Sequence, residues 1–425
     1  VNVEAGENTV PEQSSRPAVG TTPAERAAGV VPGWAARAGE ADRDGELPAA
    51  DLADARAAGL FGLLVPRRFG GLGGGFADWA DVARVLAAGS GASALALNMH
   101  TSVVGALAGT PDELARAMGA PESFFAARDR VLAAAAAGSF IAVAMSERGA
   151  GSRLSALRTS YRREGDGFRI TGLKSFCSGA RHAELYFVAA RAEAPAEGSG
   201  DPAVSHFLVP AGPGVSVEPN WDVLGMRGTG SHDVRFNTLV PADALVGGLE
   251  GVSLLVAQIM PQWLVASYAA VYAGVARAAF DAGVEHVRSR AVGGLAGPGG
   301  DAAGGLGSLP AVRARFGRAD AALAALDVVI DTCAARVDAD PGSPETNRWV
   351  WRAKLLAGQT AQDVAASVLE ACGTAASRRG HPLERLYRDA RCGSLQPATS
   401  DVCADWLGVA ALGGDPEADA AVARW

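Results

Sequence analysis

Cysteine is scarce in this chain. There are five among 425 residues: Cys177, Cys333, Cys372, Cys392 and Cys403. None belongs to a C-x-x-C pair and no histidine stands at zinc-ligand spacing. A structural metal and a disulfide framework are therefore not expected, and a reducing compartment is. No apolar run approaches the roughly 20 residues of a membrane span, and no basic-then-apolar segment opens the chain. Lys and Arg number 38 against 46 Asp and Glu, a net charge of −8. That balance argues against a nucleic-acid or anionic-membrane surface. Short basic clusters such as Arg162-Arg163 and Arg378-Arg379 read as solvated faces. The expectation is a cytoplasmic protein with no nucleic-acid partner and no membrane insertion. A phosphate-cradling Walker loop is also missing, as is a G-x-G-x-x-G turn opening a helix.

What is present is a hydrophobic content of 49%, enough for a large core, and a change of period along the chain. Residues 1–20, rich in Glu, Ser, Pro and Gly, read as a disordered tail. Residues 21–138 read as a helical domain: LPAADLADARAAGLFGLLVP carries apolar residues at 3–4 spacing, with a break at Gly89-Ser90-Gly91. From 139 to 248 the runs are short, β-branched and aromatic (FIAVAM, GFRITG, AELYFVAARA, SHFLVPA, HDVRFNTLVP) and separated by Gly, Asp and Pro, a central β domain. Residues 249–425 return to long helices, near 252–290 with a kink at Pro261, near 311–338 and near 343–378. A Gly/Ala stretch at 291–310 reads as a flexible loop. The fold class expected is mainly α with a central β domain.

Three Gly-punctuated stretches carry chemistry. AMSERGAGSR (144–153) ends a strand, and its glycines and the hydroxyls of Ser146 and Ser152 allow close approach of a ligand to the backbone. GLKSFCSGARHAE (172–184) places Phe176 two residues before Ser178. On a regular strand both would share one face, a ring to cover a planar group and a hydroxyl to bond its edge. WDVLGMRGTGSHDVRFNTLVP (221–241) reads as a hairpin, with His232 and Asp233 as polar turn residues.

Taken in order, LFGLLVPRRFGGLG, AMSERGAGSR, GLKSFCSGARHAE, LGMRGTGSHDVRF and RLYRDAR resemble the acyl-CoA dehydrogenase family of flavoproteins, over about residues 22–412. The resemblance implies an N-terminal helical domain, a β-barrel-like middle domain, a C-terminal four-helix bundle, FAD and commonly a homotetramer. It implies that Met145 and Ser146 face the flavin's pyrimidine side, Phe176 packs on the ring and Ser178 bonds N5. Arg290, Glu370, Gly373, Thr374 and Thr399 fall at nucleotide-contacting positions, Glu370 replacing the usual Gln. Met99, His100, Ser152, Leu264 and Pro397 fall along the acyl channel.

The resemblance also exposes a further absence. The glutamate that removes the acyl α-proton in the family falls at Pro397, and its alternative position at Leu264. A positioned base contributes about 10²–10⁴-fold, so its loss is substantial. His100 is the replacement candidate, with Asp401 a remote second. The first expectation is FAD-dependent α,β-dehydrogenation of an acyl-CoA or acyl-carrier-protein thioester in specialised biosynthesis, with electrons passing to an electron-transfer flavoprotein or O₂. The alternatives are a flavin-dependent monooxygenase using reduced flavin and O₂, which needs no such base, and a flavin-binding relative without turnover.

Overall fold

The computed structural model describes residues 21–151, 153–194, 203–252, 261–290 and 305–418. The expected tail at 1–20 and Ser152 lie outside the described residues, as does 291–304 of the expected loop. Six helices come first: α1 (Pro23–Asp44), α2 (Ala49–Ala57), α3 (Phe76–Gly89), α4 (Gly91–Gly109), α5 (Asp112–Ala117) and α6 (Glu122–Ala136). The start of α1 is fixed by a reciprocal cap. Thr22 Oγ1 accepts from the Glu25 amide, and Glu25 accepts from the Thr22 amide. Its buried residues Ala27, Val30, Trp34, Ala38 and Ala41 follow the helical period. Ser90 leaves the helical region and caps α4 through the Ser93 amide, so the Gly89-Ser90-Gly91 break is real.

Seven strands follow: β1 (Ile141–Ala144), β2 (Ser160–Glu164), β3 (Gly167–Cys177), β4 (Leu185–Ala192), β5 (Val204–Pro210), β6 (Val215–Glu218) and β7 (His232–Pro241). They form one sheet in the order β1-β4-β2-β3-β7-β6, with β5 also paired to β4. Tyr186 of β4 and Phe236 of β7 have two strands, β2 and β3, between them in that order, yet their rings meet edge-on at 5.6 Å. The sheet therefore curls around its own aromatic face, which also holds Tyr161, Phe168 and Phe207.

The second helical part comprises α7 (Ser267–Ser289), α8 (Pro310–Ala339), α9 (Pro344–Cys372), α10 (Pro382–Arg391) and α11 (Ser400–Ala411). A short turn at Pro261–Trp263 precedes α7. The stretch Pro261–Ser289 is long and apolar enough for a span, contrary to the expectation. However, 78% of its most apolar window is buried in the protein, as in a core helix. The described end of the Gly/Ala loop is folded rather than loose: the Leu306 amide donates to the Arg290 carbonyl, and Leu306–Ser308 form a turn leading into α8.

One cluster joins the three parts. Arg388 on α10 forks onto both oxygens of Asp42 at the end of α1 (2.9 and 2.6 Å) and donates to the Leu224 carbonyl before β7. Its neighbour Asp389 accepts from the Met226 amide at 2.6 Å. Gly225 lies between, and a Cβ there would stand 2.1 Å from the Arg388 carbonyl oxygen. The R-D-A-R run is thus a structural clasp. Breaking one side of a buried ion pair costs roughly 3–5 kcal/mol. Arg388→Met should lower the unfolding free energy by about that much in urea denaturation, and Arg388→Lys should recover only part, since an ammonium cannot fork.

Candidate active site

The loop after β1 is held from beneath by a buried pair. Lys174 of β3, fully buried, donates to the Met145 carbonyl (3.1 Å) and to Glu147 (2.8 Å). Glu147 also accepts from the Arg158 and Thr159 amides. Burial alone would raise the Glu147 carboxyl, but the Lys174 charge and these bonds hold it below its ordinary range. Burial lowers the Lys174 ammonium to about 8 despite Glu147. The Ser175 amide donates to the Ser146 carbonyl, so the loop and β3 run as one surface. Gly149 and Gly151 adopt positive φ with open space around them, as a cradle for a ligand requires.

At the end of β3 the regular alternation fails. A register shift lies between Lys174 and Cys177, and Phe176 has φ of 61°. Phe176 and Ser178 consequently do not share a face. Phe176 turns outward, 57% exposed, edge-on to Trp221 at 5.9 Å. Ser178 is buried and bonded to Ser231, which bonds Thr229. His232 and Asp233 are likewise not turn residues. They are buried in β7, His232 against Glu46 at 2.9 Å and Asp233 against Arg148 at 2.9 Å.

The turn that resembles the glutamate-bearing turn is held by a residue the sequence reading passed over. Lys354 of α9 is buried and donates to three carbonyls, Gly393 (2.9 Å), Gln396 (3.2 Å) and Ala398 (2.9 Å). Tyr272 donates to the Gln396 side chain at 2.7 Å. Pro397 therefore sits in a rigid turn. Thr399 caps α11 through the Val402 amide, and Asp401 is exposed in its first turn.

A cavity of about 130 Å³ lies between α4, the short helices after it, the β1-β4-β5 face and the segment before α7. Met145 and Leu264 line it, with Val103, Leu107, Phe187 and His206. No Asp or Glu is in its lining among the described residues. Met99 and His100 point elsewhere. Met99 sulfur accepts from Tyr268. Arg290 ends α7, and Gly373 and Thr374 follow α9, all three exposed. Glu370 is exposed and paired with Arg315 at 2.6 Å.

Three segments match acyl-CoA dehydrogenase domains: residues 31–119 the N-terminal, 142–239 the middle and 266–405 the C-terminal domain. The chain is 32% identical to L-evernosamine nitrososynthase of Micromonospora over 94% of its length and 92% of that protein's. The chain belongs to the acyl-CoA dehydrogenase family. A putative acyl-CoA dehydrogenase of Bacillus subtilis, YdbM, is 28% identical over 86% of this chain and 90% of its own. The solved structure of FMN-bound TdsC from Paenibacillus sp. A11-2 superposes with a TM-score of 0.79 at 25% identity, covering 92% of this chain and 97% of that one. This family member keeps the helix–sheet–helix plan that the motif order implied.

It does not keep His100 free for proton transfer. The ring is fully buried. Its Nδ1 accepts from the Ile141 amide (3.1 Å), so Nε2 carries the proton and donates to the Phe61 carbonyl (3.0 Å). Burial lowers it to about 4. The expectation of a catalytic base is corrected here: His100 ties α4 to β1 and to the turn after α2. His100→Leu should cost roughly 2–4 kcal/mol by orphaning a buried amide and carbonyl, and His100→Gln should keep turnover per folded molecule.

Lys354 gives a pH dependence. Burial lowers its ammonium from 10.5 to about 8, and no acid pairs with it among the described residues. The charged form is penalised in the fold below pH 8, and the penalty fades as pH rises toward the unfolded value. The stability of the natural protein relative to Lys354→Met should therefore increase between pH 8 and 10.5, by roughly 3 kcal/mol, measured by denaturation of both proteins across that window.

Proposed function

We propose that this chain is a flavin-dependent monooxygenase that takes reduced flavin and O₂ and oxygenates a small, mainly apolar substrate. One observation carries this reading: the cavity beside the candidate flavin surface has no carboxylate in its described lining, and Leu264 lines it where an acid would serve dehydrogenation. Abstraction of an α-proton needs a base within hydrogen-bond reach. Oxygen transfer does not. The nitrososynthase likeness across nearly the whole chain supports the same reading.

The residues present suit a flavin. A ring left 57% exposed at Phe176 offers an apolar face to a planar group, and the glycines at 149 and 151 have open space around them. When bound, reduced flavin would supply the electrons that let O₂ deliver one oxygen atom and leave the other as water. The chain's own part is placement. Lys174 fixes the Met145 carbonyl, Ser178 is oriented by Ser231, and the Lys354-held turn closes the bundle side. Glu370, at a position where the family uses a neutral residue at the dinucleotide, is turned to solvent and paired with Arg315, so its charge does not decide between FMN and FAD. A solved relative carries FMN.

The test uses the full chain with FMN and a separate NADH-driven flavin reductase. Under ¹⁸O₂, thioanisole or N-methylaniline should gain one labelled oxygen atom by mass spectrometry. Anaerobic butyryl-CoA or octanoyl-CoA should leave the oxidised flavin's colour intact. Bleaching by either thioester would overturn this reading in favour of acyl thioester dehydrogenation.

A further inference from the structure

Among the described residues the cavity lining holds two buried polar atoms without a partner, Trp263 Nε1 and His206 Nε2, and the imidazole is the one able to accept as well as donate. His206, on β5, is nine-tenths buried, and its Nε2 has no hydrogen-bond partner. A buried polar atom without a partner costs about 1–3 kcal/mol, so its place in an apolar wall needs a reason. Strand alternation shows where the ring faces. Val143 pairs with Phe187, and Ala189 pairs with His206, so these side chains stand on one face of the sheet. Val143, Phe187 and His206 all line the cavity. The imidazole stacks on Phe187 with centroids 4.5 Å apart and planes 20° from parallel. Stacking holds the ring's plane and leaves its edge to meet whatever enters.

The other polar side chains in the lining are occupied or different in kind. Ser102 donates to the Asn98 carbonyl and Thr110 to the Ala106 carbonyl, both within α4 or at its end. Trp263 Nε1 is also unpartnered, but an indole can only donate. Burial, with the nearby Lys174 charge, lowers the His206 imidazole to about 3, so the ring stays neutral. A neutral imidazole presents one donor and one acceptor, and a hydroxyl can answer either. A cavity of about 130 Å³ is close to the ~150 Å³ of an apolar cavity that takes up benzene.

Resting on the monooxygenase reading, we propose that His206 determines specificity in this cavity, selecting a one-ring apolar ligand that bears a single hydroxyl or amine and hydrogen-bonding that group through Nε2.

Phenol and benzene are a matched pair of probes. Their affinities for the full chain with oxidised FMN are to be measured by calorimetry, in the natural protein and in His206→Leu and His206→Gln. The benzene-to-phenol ratio of dissociation constants should fall roughly 3- to 10-fold in His206→Leu, with benzene binding kept. It should be largely restored in His206→Gln, which again has a donor and an acceptor. Comparing ratios between proteins cancels the probes' own hydration. An unchanged ratio in His206→Leu would overturn the proposal, as would failure of both probes to bind the natural protein. Should His206→Leu not fold, His206→Gln decides: a ratio near the natural one supports the proposal, and a collapsed ratio overturns it. No turnover is measured, so failure of oxygen transfer with the ratio change intact would remove the proposed reaction and leave the role of His206 standing.

Discussion

The site depends on three regions that share one hydrophobic core being held in a single arrangement, and the Arg388–Asp389 clasp is the directional tie among them. Arg388 reaches the end of α1 through Asp42 and the approach to β7 through the Leu224 carbonyl, while Asp389 takes the Met226 amide. Each contact alone would tolerate some sliding. Together they fix two helical parts and the curled sheet in translation and rotation, because a planar fork on a carboxylate is directional. The bare backbone of Gly225 against Arg388 shows how closely the parts meet. Desolvating this cluster opposes folding, so the clasp is better understood as selecting one arrangement of the parts than as a source of net stability.

The same logic repeats on a smaller scale in two buried lysines. Irregular backbone inside a protein has no ladder to satisfy it. The loop after β1 and the turn at 393–398 are both of this kind, and each receives a lysine from an adjacent regular element. The two solutions differ. Lys174 brings a counter-charge, Glu147, which is itself anchored by amides. Lys354 meets carbonyl dipoles and the face of the Tyr268 ring rather than an acid among the described residues. Burial lowers both to about 8, a sign that charge has been placed where water would normally solvate it. In both cases the segment so fixed borders the region where the flavin and substrate are expected.

These devices explain why some of the molecule was legible in its sequence and some was not. Period changes mark the helix–sheet–helix order directly, and Ser90 announces its own cap. R-D-A-R was visible as a landmark, but its work is done across more than 340 residues of separation from Asp42, which no local pattern records. The expectation that Phe176 and Ser178 share one face failed because it assumed unbroken alternation, and a register shift with a left-handed Phe176 breaks that. His100 looked like a free imidazole because its two partners are main-chain atoms, invisible to side-chain patterns. Lys354 and His206 were overlooked for a related reason: each lies in an ordinary helical or apolar run, and only burial makes it unusual.

Charge, or its exclusion, then shapes the chemistry. A carboxylate placed in the apolar lining would be driven toward its protonated form and would be a poor partner for ligand anions. The two histidines nearest the question, His100 lowered by burial to about 4 and His206 to about 3, are both neutral near pH 7. His100 has both ring nitrogens committed to main-chain atoms, so it is not placed to take an α-proton, and burial disfavours the imidazolium that His206 would become. The cavity wall therefore binds without ionising. Deprotonating a thioester would create charge against that wall, where the described lining holds no Asp or Glu to receive the proton. Passing an oxygen atom to a neutral heteroatom or ring asks the wall only for shape, dryness and one directional contact, which are the properties these residues have.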